Sequence, residues 1–183
     1  MMVASNHTPE GQNMKVLAVI DMQNDFISGA LGTPEAKAIV PRVKEKIEAA
    51  RASGVRVVFT RDTHTEEYLN TQEGRNLPVP HCLLGTDGWQ ICGQLDVADA
   101  AVFDKPGFGS PELIRFLCLL PALEEVEFIG LCTDICVITN AMMLKGALPE
   151  LRVKVDAACC AGVTPASHEN ALEAMKMCQI GII

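Results

Sequence analysis

Two groups of side chains in this sequence are spaced for chemistry. The first centres on Cys136, in the segment Gly130-Leu-Cys-Thr-Asp-Ile-Cys136 just beyond an apolar run. Read as lying in the first turn of a helix capped by Thr133, its thiol would meet free backbone N–H groups and the positive end of the helix dipole. Both favour a thiolate. Asp21 and Lys105 also follow short apolar runs. Asp21 could take the thiol proton, and Lys105 could stabilise the resulting anion and keep the carboxylate ionised. The N–H groups of Cys132 and Cys136 could then form an oxyanion hole for a tetrahedral intermediate. Each residue alone has an ordinary reading too: a buried core thiol, a turn-capping carboxylate, a solvated lysine.

The second group is Asp62-Thr-His64, then Glu73, then His81. Two imidazoles and two carboxylates suit zinc, with manganese or iron as alternatives. Glu66 and Glu67 are reserve candidates for the third ligand. Asp-x-His also recurs by chance, and acidic loop residues are mostly solvated. His7, in the polar N-terminus, and His168, near the C-terminus, read as surface residues.

The elements that must position these groups are legible in the hydrophobic pattern. Val16–Ile20 is a continuous apolar run of strand length. Thr33-Pro34 and Pro41 lie near a helix start, and Val40, Val43, Ile47 and Ala50 recur at helical spacing until Gly54. Val55–Thr60 is a second strand, Ala101–Phe103 a third, Val126–Gly130 a fourth and Leu151–Val155 a fifth. Ser110-Pro111 opens a helix, another runs from Thr133 to about Lys145, and Thr164-Pro165 starts a last one. Strand–helix alternation of this kind predicts a three-layer α/β/α fold with a mostly parallel sheet. In such sheets ligands bind beyond the carboxyl ends of the strands, where Asp21, Lys105 and Cys136 fall. Between Arg61 and Gly93 no period is visible, and a long irregular stretch is usually functional. Residues 1–13 read as a flexible segment and 14–183 as one domain.

Composition excludes some partners and favours a compartment. A formal net charge of -8 and a pI near 5.0 oppose binding to nucleic acid or to an anionic membrane. The apolar runs are too short to span a bilayer, and no secretory h-region is visible. The chain has eight cysteines but no C-x-x-C pair, so a reduced, cytoplasmic protein is expected. A homo-oligomer is expected of a compact enzyme with apolar helices. A catalytically silent metal- or redox-binding module, with Cys159-Cys160 as its support, is the alternative from another functional class.

Asp21-Met-Gln-Asn-Asp-Phe26, Lys105-Pro-Gly-Phe-Gly-Ser110 and Gly130-Leu-Cys-Thr-Asp-Ile-Cys-Val137 resemble the three signature blocks of the isochorismatase-like cysteine hydrolases. The resemblance runs from Val16 to the last helix. It implies a catalytic triad of Asp21, Lys105 and Cys136, and a cis peptide before Cys132. The irregular segment is similar to that of the nicotinamidase branch, which carries Asp-x-His and a His-Cys-x-x-Gly-Thr block, here His81-Cys-Leu-Leu-Gly-Thr86. Many members supply a third histidine where this chain has Asn70; others use a glutamate at the position of Glu73. The branch implies hydrolysis of nicotinamide to nicotinate and ammonia, a step in NAD salvage, with a metal holding the pyridine nitrogen. Phe26 and Leu31 would wall the ring. An aromatic residue common before the histidine is missing from Asn76-Leu-Pro-Val-Pro80, so Leu77 or Phe108 would take its place. Amidases of carbamoyl or ureido substrates belong to the same family and generally lack the metal ligands. Isochorismate hydrolysis, a vinyl-ether cleavage, does not require the cysteine.

Overall fold

A computed structural model describes residues 13–183. His7, and all of the expected flexible start but Asn13, lie outside the described residues. Strand β1 (Met14–Ile20) is followed by a short helix α1 (Asn24–Ile27), the long helix α2 (Pro34–Ala52) and strand β2 (Arg56–Asp62). A 3-10 turn (Glu66–Asn70), helix α3 (Gln72–Asn76) and a long loop lead to β3 (Ala101–Lys105). Then come α4 (Pro111–Cys118), β4 (Leu123–Leu131), a π-helical turn (Thr133–Val137), α5 (Ile138–Ala147), β5 (Arg152–Ala161), α6 (Pro165–Met177) and β6 (Gly181–Ile182). The six strands form one parallel sheet in the order β3-β2-β1-β4-β5-β6. This is the three-layer α/β architecture expected, with one strand more than the hydrophobic pattern shows.

Alternation along β1 explains the layers. Val16, Ala18 and Ile20 enter one core with Leu113 of α4, Ala141 and Leu144 of α5, and Leu172 of α6. Leu17 and Val19 enter the other with Ile39, Val43 and Ile47 of α2. Because both faces are covered, Val16–Ile20 of the central strand β1 is apolar without a break, which is why it reads as a continuous run. Each fully buried aliphatic side chain contributes about 1.5–3 kcal/mol. The chain switches direction between β1 and β4, so a crevice opens at their carboxyl ends. No described helix is long and apolar enough to cross a membrane.

Several local expectations are corrected. Pro41 lies inside α2 rather than near its start; it is exposed, where water can take the carbonyl its missing N–H leaves free. Thr33 caps that helix, accepting the Ala36 N–H at 3.0 Å. Strand β5 runs on to Ala161, so Cys159 and Cys160 are buried strand residues without a disulfide. The stretch after β2 holds a 3-10 turn and α3, each too short to show a period.

Gly130 carries β4 past β1 at φ +115°, where an added Cβ would lie 2.1 Å from the Ile20 carbonyl oxygen. Gly130→Ala is therefore expected to destabilise the protein by about 3 kcal/mol or more, read as a lower denaturant midpoint; an unchanged midpoint would contradict this packing.

Candidate active site

Four strand ends, those of β1 to β4, deliver the functional groups. Asp21 follows β1, Asp62 and Lys105 close β2 and β3 in register with each other, and Cys132–Cys136 follow β4. Asp21 adopts φ +47°, a left-handed conformation that Asp tolerates better than most residues. That bend turns its carboxylate inward. Thr60 fixes it: the hydroxyl donates to Asp21 Oδ1 at 2.6 Å and accepts the Asp21 N–H at 3.2 Å. Asp21 Oδ2 lies 2.7 Å from Lys105 Nζ, yet no donor is aligned on it, which leaves a lone pair for a proton.

Lys105 is 1% exposed and its ammonium joins the whole site. Besides Asp21, it lies 3.4 Å from Asp62 Oδ1 and donates to Cys136 Sγ at 3.4 Å and to the Gly107 carbonyl at 3.0 Å. Burial works against its charge, but Asp21, Cys136 and Asp62 hold it well above the usual lysine range. Burial raises the Asp21 carboxyl, opposed chiefly by Lys105. Burial, then the Asp21 charge, push the Cys136 thiol far up, with Lys105 opposing. Burial and the adjacent carboxylate thus act against the thiolate that the helix end favours.

The turn that carries Cys136 also differs from expectation. Cys132, not Thr133, is the N-cap, and it makes no side-chain cap bond. The Thr133 hydroxyl instead meets His168 Nδ1 at 2.7 Å, so His168 is a half-buried brace from α6 and not a surface residue. The Leu131–Cys132 peptide is cis, as the resemblance implies. The N–H groups of Ile135 and Val137 both close on the Cys132 carbonyl at 3.1 Å.

Asp62, His64, Glu73 and His81 come together: one ligand atom from each lies within 4.8 Å of all the others. Ligands on a tetrahedral zinc at about 2.0–2.2 Å sit about 3.4 Å apart. His64 Nε2 and His81 Nε2 lie 2.9 and 3.5 Å from Asp62 Oδ2, and 3.8 and 3.7 Å from Glu73 Oε1. The separations fit a divalent metal. His81 Nδ1 donates to the Val79 carbonyl at 2.8 Å, which leaves Nε2 free to ligate. Burial opposes the Asp62 charge, but His64, His81 and Lys105 hold its carboxyl well below the usual range. Burial and Asp62 raise Glu73. Glu66 and Glu67 are exposed, and Glu67 accepts instead from Asn70.

Sequence reasoning missed the residues that hold these groups. Tyr68 is buried against both imidazoles, its ring 4.7 Å from His64 and 5.0 Å from His81, and its hydroxyl donates to the Leu77 carbonyl at 2.8 Å. The Gln23 amide accepts the Asp62 N–H at 2.7 Å and donates to the Asp62 carbonyl at 2.8 Å, extending the β1–β2 pairing after the main chain has bent away. Asp25 accepts the Cys82 N–H at 2.8 Å and so holds the loop beside His81.

One cavity of about 180 Å³ touches both groups: Cys132 and Cys136 on one side, Asp62, Glu73 and His81 on another. Phe26, Leu31 and Phe108 line it as expected, joined by Asn76, Leu77 and Ile135. Phe26 stands edge-on to His81 at 5.5 Å.

The isochorismatase domain matches residues 15–183 of this sequence. The chain belongs to the isochorismatase family. Within that family it is 29% identical over 187 residues to a nicotinamidase/pyrazinamidase of Mycobacterium tuberculosis, covering 93% of this chain and 98% of that one. The pyrazinamidase of Pyrococcus horikoshii, solved in complex with zinc, superposes with a TM-score of 0.80 at 31% identity, over 92% of this chain and 98% of that one. An N-carbamoylsarcosine amidase from Thermoplasma acidophilum reaches 0.77 at 26% identity, over 92% and 95%. Isochorismatase-family members of different amide specificity thus share this backbone almost equally, and specificity has to be read from the side chains.

Proposed function

We propose that this protein is a cysteine-dependent amidohydrolase whose substrate is nicotinamide, hydrolysed to nicotinate and ammonia within a single domain spanning 14–183. The observation that carries the choice of substrate is the cluster of Asp62, His64, Glu73 and His81 opening into the same cavity as Cys136. Its similarity to a nicotinamidase/pyrazinamidase and to a zinc-bound pyrazinamidase supports it. None of the eight cysteines is paired, which supports a reducing, cytoplasmic setting.

In the reaction, Asp21 accepts the Cys136 proton through its unaligned Oδ2, and the sulfur attacks the carboxamide carbon. The N–H groups of Cys132 and Cys136 stabilise the oxyanion. Asp21 then passes its proton to the nitrogen, the C–N bond breaks, and ammonia leaves a thioester on Cys136. Next, Asp21 takes a proton from water as its oxygen attacks the thioester, and collapse returns the sulfur and its proton to the resting state. Lys105 holds carboxylate and sulfur in register throughout. A divalent ion on Asp62, His64, Glu73 and His81, zinc foremost, would supply a Lewis-acid anchor for the ring nitrogen. Phe26, Leu31 and Phe108 wall the ring, and Leu77 stands where an aromatic plate is absent.

The test is to strip the protein with chelator, restore single metals, and assay ammonia from nicotinamide and from N-carbamoylsarcosine. Turnover of nicotinamide restored by metal is expected; nicotinamide left intact beside hydrolysed N-carbamoylsarcosine would replace this reading with the carbamoyl amidase. His81→Ala is expected to lower metal stoichiometry, measured by elemental analysis, and to raise KM more than it lowers kcat. Wild-type metal content and KM in that variant would remove His81 from the ligand set.

A further inference from the structure

Asn140 is buried one helical turn beyond Cys136, and the mechanism above leaves it without a part. Its Nδ2 donates to the carbonyls of Cys136 at 2.8 Å and Phe108 at 3.2 Å, and its Oδ1 accepts the Ser110 N–H at 2.8 Å. An amide offers both donors and an acceptor on one rigid plane; Thr has one donor, ionised Asp none, and Leu neither kind. The three bonds tie the nucleophile's turn to the loop that leaves Lys105. That loop is anchored twice more. Gly107 accepts from Lys105 Nζ at 3.0 Å, and a Cβ at Gly109 would lie 2.3 Å from Met143 Sδ of α5. Lys105 and Cys136 arrive from different strands, and their 3.4 Å contact depends on how loop and turn are joined.

We propose that Asn140 is a positioning residue that sets the distance between the Lys105 ammonium and the Cys136 sulfur. The role rests on the amidohydrolase reading. Breaking the clamp takes a hydrogen bond from each of three backbone groups in a dry site, and the turn shifts to compensate. A displacement of about 1 Å at reacting atoms costs on the order of 100-fold in rate. With the cation further away, the thiol ionises at higher pH.

Two measurements on Asn140→Leu test this: steady-state kinetics with nicotinamide, and the pH profile of Cys136 alkylation by iodoacetamide, followed on its own peptide. Ile47→Ala, in the core under α2, serves as a control of comparable instability. Expected are a fall in kcat of about 100-fold with KM within about twofold, and an alkylation midpoint moved to higher pH, neither of them in Ile47→Ala. Wild-type kcat and midpoint in Asn140→Leu, or both changes reproduced by Ile47→Ala, would overturn the proposal. If the leucine variant does not fold, Asn140→Thr should show smaller changes of the same sign, and no change would overturn it. Alkylation needs no substrate. If wild-type protein leaves nicotinamide intact, the substrate reading fails while the midpoint still decides for or against the clamp.

Discussion

Cys136→Ala is expected to reduce turnover on the order of 10⁴-fold or more while leaving the fold and the metal stoichiometry intact. The sulfur is the atom that forms and breaks the covalent bond, and nothing within reach replaces it. Asp21 could at best direct a water, without the intermediate that splits one hard step into two. The structural loss is small, because Lys105, which donates to the thiol, keeps its contacts to Asp21, Asp62 and the Gly107 carbonyl. Thermal melting beside the activity assay separates the two effects. A variant that melts early and is inactive reports on folding; one that melts normally and turns over at wild-type rate removes Cys136 from the mechanism.

Lys105→Met should be the most damaging change to stability. The ammonium is the positive charge that buried Asp21 and Asp62 share, at 2.7 and 3.4 Å. Methionine fills similar space but leaves two carboxylates facing each other out of water, and removing one partner of a buried ion pair costs about 3–5 kcal/mol. The pH dependence follows from the shift already present. Burial raises the Asp21 carboxyl against the pull of Lys105, so without the lysine its folded-state value rises further. A group that binds its proton more tightly when folded contributes stability below its unfolded value, which is lost as pH rises through the folded one. The melting temperature of Lys105→Met should therefore fall between mildly acidic and neutral pH by more than that of the wild type. Parallel profiles would show that the lysine does not offset those two charges. Activity should be lost at every pH, because the cation also holds the thiol.

Chain order made much of this readable. Val16–Ile20 is an unbroken apolar run because both faces of the sheet are covered there, and the residues that follow it and the β4 run Val126–Gly130 had to lie at the crevice. Asp62 and His64 were legible because ligands two residues apart fall beside one strand end. What brings them to His81 and Glu73 was not: Tyr68, packed against both imidazoles, sits in a 3-10 turn too short to show a period. Thr133 illustrates the limit of local rules. A threonine before a helical pattern reads as a cap, yet its hydroxyl is taken by His168, thirty-five residues on. Gln23 and Asn140 carry no spacing signal either, since an amide can serve any backbone that folding brings to it. The push on the Cys136 thiol is not local either: burial by the whole fold raises it, against what a helix end favours.

The most direct test is to look for the bond itself. Metal-replete protein mixed with nicotinamide, quenched in acid within the first turnovers and digested, should yield the Cys136 peptide carrying a nicotinoyl thioester. The adduct should vanish as substrate is exhausted and be missing from Cys136→Ala. Steady release of ammonia with no acyl group ever detectable on Cys136, and with turnover preserved in Cys136→Ala, would contradict the account at its centre.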